Sequence, residues 1–146
     1  MQHLRITTDR QQLDLAMIHW FLSEQSGWAR GIPLERLLRG IEHSICFAGF
    51  VGAAQVSFAR VISDCATFAN LGDVFVLPEH RGLGYGKAMM HAIVNHPSLQ
   101  GLRRFTLATA DAHGLYAQFG FTPPVKPRSL MERHFPDIYS DHKVRG

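Results

Sequence analysis

The stretch that decides the fold is Val74-Phe75-Val76-Leu77-Pro78-Glu79-His80-Arg81-Gly82-Leu83-Gly84-Tyr85-Gly86-Lys87. An apolar strand runs into a turn with three alternate glycines, and a helix with the i, i+4 apolar pairs Met89/Ile93 and Met90/Val94 follows. Glycine lets the backbone turn sharply and brings its N–H groups close to an incoming oxyanion. A helix start adds unpaired N–H donors and a partial positive charge, so strand, glycine turn and helix together make a phosphate site. Arg81 and Lys87 bracket it with full charges. Three glycines also suit a plain tight strand-to-helix connection; the apolar strand, its Val-x-x-Pro lead-in and Arg81 favour the phosphate reading.

The common nucleotide loops do not fit. A Walker A loop needs glycine where Arg81 stands and Ser or Thr where Ala88 stands. A dinucleotide fingerprint starting at Gly82 or Gly84 needs a small residue at Lys87 or Met89. What does fit is Arg-x-x-Gly-x-Gly at Arg81, Gly84 and Gly86, which resembles the acetyl-coenzyme A (acetyl-CoA) pyrophosphate loop of the GCN5-related N-acetyltransferase (GNAT) superfamily. A second match lies downstream in Ala108-Thr-Ala-Asp-Ala-His-Gly-Leu-Tyr-Ala-Gln-Phe-Gly-Phe121. The family often carries Asn-x-x-Ala-x-x-Leu-Tyr-x-x-x-Gly-Phe there. Ala112, Leu115, Tyr116, Gly120 and Phe121 match, and Thr109 replaces the usual asparagine. The two motifs stand in the family's order, and together they cover residues 71–121.

The resemblance implies transfer of an acetyl group from acetyl-CoA, as co-substrate and without a metal, to a primary amine of a small-molecule or peptide acceptor. Attack is direct, in a ternary complex. It implies a strand splayed from its neighbour, with pantetheine pairing along Val74, Phe75 and Val76. Phosphate contacts fall at Arg81, Gly82, Leu83, Gly84, Tyr85, Gly86 and Lys87, and Thr109 takes the remaining contact. Val76 N–H is then the candidate oxyanion donor and Tyr116 the candidate acid for the departing thiolate. A phenol near pKa 10 is protonated at neutral pH; from periodicity alone, Tyr116 is equally a core residue beside Leu115 and Phe119. Asp73, a carboxylate inside an apolar strand, needs a partner or a cleft. It is read as general base, as anchor for the substrate ammonium, or as half of an ion pair with an arginine; water is the other proton acceptor. A non-catalytic acyl-CoA-binding regulator is the rival reading.

Working outward, residues 3–7 alternate as a strand. Leu13, Met17, Trp20 and Phe21 recur at helical spacing over Arg10–Glu24, with Trp20 and Phe21 expected to pack on the sheet. Trp28, between glycines, is a candidate pocket wall. A second helix is predicted over Pro33–Glu42. Strands follow at Ser44–Phe50 and Ala53–Val61, turned at Val51-Gly52, and at Thr67–Leu77. After the glycine turn come a helix over Lys87–Asn95, a strand over Arg104–Ala108 and a helix over His113–Phe119, with Asp111 a possible helix cap. Phe121 onward reads as extended and Ser129–Phe135 as a last strand. The order predicts one α/β domain over residues 1–146: a GNAT-like, mixed, largely antiparallel, splayed sheet flanked by helices.

Composition agrees with a compact enzyme. The 146 residues are 46% hydrophobic and 18% charged, and mean hydropathy is −0.04, which excludes disordered and fibrous classes. The longest apolar run, Ile45 to Ala54, is about half a membrane span, and the polar N-terminus shows no signal peptide. A soluble cytoplasmic protein, monomer or homodimer, is expected. A net charge of +3, with cations scattered, suits a small anionic ligand and not nucleic acid or a membrane surface. Cys46 and Cys65 are expected as buried free thiols. The nine histidines include no metal-ligand spacing.

Overall fold

A computed structural model describes residues 3–140. Five strands form one sheet in the order β1-β2-β3-β4-β5: β1 (Arg5–Thr7), β2 (Ile45–Val51), β3 (Ala54–Ser63), β4 (Phe68–Val76) and β5 (Arg104–Leu107). The first four are antiparallel in succession, and β5 lies parallel to β4. A parallel neighbour needs a crossover, and α3 (Tyr85–Val94) supplies it. The other helices are α1 (Leu15–Trp20), α2 (Leu34–Glu42) and α4 (His113–Ala117).

The sheet has two covered faces, and they hold different partners. On one, Met89, Met90 and Ile93 of α3 pack on Phe47, Ala59, Val61 and Leu71. On the other, Ile18, Phe21, Leu37 and Ile41 pack on Cys46, Phe58 and Phe75. The Phe21 and Phe75 rings stack there at 3.9 Å. Strands of alternating or continuous apolar residues, covered by helices on both sides, give the α/β domain expected.

Several expectations change in detail. The single helix over Arg10–Glu24 is instead a 3-10 turn (Arg10–Gln12), then α1, then a π-helical turn over Phe21–Gln25. Asp9 caps the first piece, accepting from Gln11 N–H, and Asp14 restarts the helix by accepting from Met17 N–H. The π turn forms where the Ser23 and Ser26 hydroxyls donate to the carbonyls of His19 and Leu22, widening the ladder. The β2–β3 loop is Gly52-Ala53, one residue later than expected, and Gly52 supplies φ +59°. Trp20 is 47% exposed and does not pack on the sheet as Phe21 does. Among the described residues no strand forms beyond Phe121 or over Ser129–Phe135. Pro123, Pro124 and Pro127 remove ladder donors there, and a 3-10 turn occupies Pro127–Ser129.

Cys46 is buried, but Cys65 is exposed. Cys65 stands at φ +63° in the β3–β4 turn. Asp64 ties this turn, accepting from the Thr67 hydroxyl and the N–H groups of Ala66, Thr67 and Phe68. Those bonds hold its carboxyl well below the usual range. Burial pushes the Cys46 thiol up to about 11, against a smaller downward pull from Arg60 and then Arg10. An aromatic disulfide reagent at pH 8 should therefore titrate one thiol quickly in the folded protein and two after unfolding; two fast thiols in the native state would contradict the burial of Cys46.

Gly49 of β2 faces Ser57 of β3, and a Cβ there would overlap the Ser57 hydroxyl. That hydroxyl is buried without a hydrogen-bond partner among the described residues. Gly49→Ala should lower unfolding free energy by about 1–3 kcal/mol in denaturant titration. Ser57→Ala alone should be near neutral, and it should recover part of the Gly49→Ala loss. An equal loss in both backgrounds would mean the contact is not the cause.

Candidate active site

The site begins where β4 and β5 part. Their pairing runs from Phe68↔Arg104 to Leu71↔Leu107 and stops, while β4 continues for five residues paired only with β3. The cause is local. Between Phe58 and Arg60 on β3, the partners on β4 are Phe75 and Gly72, so β4 carries one extra residue. That bulge includes Asp73 at φ +53°, a left-handed conformation that a short polar side chain tolerates better than most. A bulge bends its strand and raises the local twist. It turns the end of β4 away from β5.

Asp73 is held on both oxygens. Arg60 Nε donates to Oδ2 at 2.9 Å and Trp28 Nε1 donates to Oδ1 at 2.8 Å. Arg60 Nη1 also donates to Ser44 Oγ at 3.0 Å and to Gly40 O at 3.4 Å. One guanidinium thus ties the bulge to the C-terminal end of α2, and the exposed Trp28 ring closes over it from the α1–α2 loop. Gly72 beside the bulge has open space where a side chain would stand.

The peptide of Val76 faces the opening. Leu77 N–H donates to Val56 O at 2.9 Å on β3. Alternation in an antiparallel ladder then directs the Val76 N–H and C=O the other way. The Val76 carbonyl accordingly accepts from Arg81 Nε at 2.8 Å, while its N–H points to the same side. Val74 and Val76 are partly buried toward α3, whereas the Phe75 ring lies in the α1 face core and does not reach the opening.

After β4, a 3-10 turn at Pro78–His80 leads into Gly82 at φ +78° and Gly84 at φ +83°. These conformations are why glycine is required here. Gly84 caps α3, whose first bond is Ala88 N to Gly84 O. The amides of Gly86 and Lys87 precede that bond and point out of the helix end. Arg81, Gly82, Leu83, Gly84 and Lys87 are exposed, and the Tyr85 side chain is buried. Gly86 lies against Leu115 of α4.

Tyr116, in α4, shares the core of Tyr85 and Met89 and meets Phe121 edge-on at 6.2 Å. Burial, then the charge of Asp111, raises its pKa above the ordinary 10.0. Thr109 Oγ1 accepts from Ala112 N–H at 3.0 Å. Asp111, read in the sequence as a possible cap, makes no capping bond to α4. Among the described residues no group of three ligands could hold a metal ion, and no helix is long and apolar enough to cross a membrane. The structure thus gathers Asp73, Val76, Arg81 and the glycine turn along one strand and its exit, with Tyr116 in the core that α3 shares. The ion pair of Asp73 with an arginine, one of the alternatives the sequence offers, is present, and Arg60 is that arginine; the Trp28 bond was not anticipated. A lone arginine between Ala59 and Val61, in a strand next to one with a lone aspartate, was the available signal.

A family model described as an acetyltransferase (GNAT) domain matches residues 42–123. A Xanthomonas campestris pv. campestris protein assigned to the GNAT family is 63% identical, with a TM-score of 0.93 over 96% of this chain and 99% of that one. A Gibberella zeae protein (FG08082) assigned as an acetyltransferase is 31% identical over 135 residues, 77% of this chain and 75% of that one. An acetyltransferase from Clostridium acetobutylicum, solved with acetyl-CoA, has the same fold at 16% identity, with a TM-score of 0.65 over 92% of this chain and 96% of that one. The matched segment holds the split strand, the glycine turn and Tyr116 together, and the chain belongs to the GNAT family of acetyltransferases.

Proposed function

We propose that this protein moves the acetyl group of acetyl-CoA onto a primary amine by direct attack in a ternary complex. The observation that carries this reading is the parting of β4 from β5, with the Val76 N–H turned into the gap and the end of α3 beside it. A gap with strand backbone on one side suits the amides of a pantetheine arm. The outward amides of Gly86 and Lys87, with the cations of Arg81 and Lys87, suit its pyrophosphate. Arg81 has a second task, since its Nε holds the Val76 carbonyl and so fixes the neighbouring N–H.

The chemistry follows from those placements. The acceptor ammonium loses a proton to Asp73 or to water and attacks the thioester carbonyl. A carboxylate has about four lone-pair sites, so the two bonds from Arg60 and Trp28 leave Asp73 able to take another. A C–N bond forms, and the carbonyl oxygen gains charge against the Val76 N–H. A fixed donor of this kind contributes about 3 kcal/mol to the transition state. The C–S bond then breaks, its electron pair goes to sulfur and Tyr116 gives the thiolate its proton, while the second proton on the acetylated nitrogen leaves to water and a proton from solvent restores the Tyr116 phenol.

Acetyl-CoA and coenzyme A should each raise the melting temperature, and NAD and ATP should not; stabilisation by NAD alone would overturn the donor. Tyr116→Phe should lower kcat by about 10²–10⁴ with acetyl-CoA affinity kept. If no amine is acetylated by the native protein while acetyl-CoA still binds, the protein is a binder and the proposal fails. The raised pKa of Tyr116 means the acid keeps its proton through neutral pH and loses it only above 10.0. The kcat profile should therefore show no falling limb from this residue below that point. A limb near pH 8 that disappears in Tyr116→Phe would exclude it as the acid.

A further inference from the structure

On the α2 face, with the Asp73 partner Arg60 in its wall, lies a pocket of about 290 Å³. Arg36, Arg39 and His43 line it from α2 and its C-terminal end, with Arg60 from β3 and Tyr139 opposite. Positions 36, 39, 40 and 43 are spaced i, i+3, i+4 and i+7, which places them along one face of a helix. Among the described residues no carboxylate is part of the wall, although α2 also carries Glu35 and Glu42. Arg60 is paired with Asp73; among the described residues Arg36 and Arg39 have no ion-pair partner. Arg36 and Arg39 are exposed and border the same cavity as Arg60, so an anion bound there would meet a positive field from more than one guanidinium.

The location matters as much as the charge. α3 and its glycine turn cover one face of the sheet and α2 the other, so a donor at α3 and a ligand in this pocket are on opposite sides. They can meet only where β5 has left β4. Arg60 spans that distance, since it lines the pocket and also holds Asp73 in the bulge. A pocket of this volume is at the small end of ligand sites and takes a metabolite rather than a protein surface.

We infer that the acceptor is a small amine that also carries a carboxylate or phosphate group, seated by Arg36, Arg39 and His43 with its amine directed to Asp73. This rests on the acetyl-transfer reading above. Guanidinium groups match both anions through paired N–H donors, so the two kinds of anion are separated by experiment.

The test is titration calorimetry in the presence of coenzyme A, paired with an acetylation assay. The probes are 4-aminobutyrate and O-phosphoethanolamine against ethanolamine and 1,3-diaminopropane. At least one anionic amine should bind about tenfold or more tightly than ethanolamine, and the better of the two identifies the anion. Arg36→Gln and Arg39→Gln, on an exposed helix face, should each remove most of that preference. They should raise KM for the anionic acceptor and leave coenzyme A affinity unchanged. Anionic amines that bind no better than ethanolamine, or a preference that survives both substitutions, would overturn the inference while leaving acetyl transfer intact. If the anionic amines bind in an Arg36- and Arg39-dependent manner but no amine is acetylated, the anion pocket stands and the transfer reading fails.

Discussion

The ion pair between Arg60 and Asp73 is the contact on which the rest of the molecule depends. Strand β4 must stay paired with β3 along its length yet leave β5 halfway. One extra residue at Asp73 satisfies both demands. A non-glycine residue in the left-handed region costs on the order of 1 kcal/mol or more, and such a bulge persists only where its surroundings hold it. Arg60 and Trp28 do so, from the neighbouring strand and from the loop before α2. Because Arg60 also reaches Ser44 Oγ and Gly40 O, the bulge is tied to the helix that lines the opposite pocket. Removing Arg60 would leave a partly buried carboxylate without its counter-charge.

Features with a local cause are legible in the sequence, and those held by distant contacts are not. The glycine turn was readable because its cause is local: Gly82 and Gly84 adopt positive φ, and the strand before and helix after them follow from apolar spacing. The parallel placement of β5 follows from the intervening helix. The splay itself entered only through resemblance to a family. Its physical cause joins residues 13 and 45 positions apart in the chain, which no window of sequence displays. The oddness of a charge among apolar neighbours marks Asp73 and an arginine as its partner, but which arginine, and the added bond from Trp28, depend on the folded register.

Other departures share this origin in distant or competing contacts. The long first helix breaks because Asp14 can cap a new start, and its own N–H is taken by Gln55 Oε1 at 2.8 Å from β3. Trp28 was suggested by its glycine neighbours as a wall, and it is a hydrogen-bond donor to the central carboxylate instead of only a surface. The proline-rich stretch after Phe121 reads as extended, but it runs through coil, a bend and the 3-10 turn at Pro127–Ser129, and three missing donors keep it out of the sheet.

The modest surplus of positive charge also takes on a shape that composition could not give. One part, Arg81 and Lys87, sits with the exit from β4 and the start of α3. Another, Arg36 and Arg39, lies across the sheet on α2. Two anionic ligands in one open cleft would repel each other, and each would weaken the other's binding. With the sheet between them, each anion has its own cations, and only the reacting ends, a thioester carbonyl and an amine, need to share the gap. Asp73 stands in the bulge where the two strands part, bonded to Arg60 of the pocket wall. It neutralises Arg60 and, for the acceptor proposed above, would give the positive end a destination distinct from that of the negative end. A diamine would have an end in the wrong field, whereas an amine bearing an anion would be oriented before it reached the carbonyl.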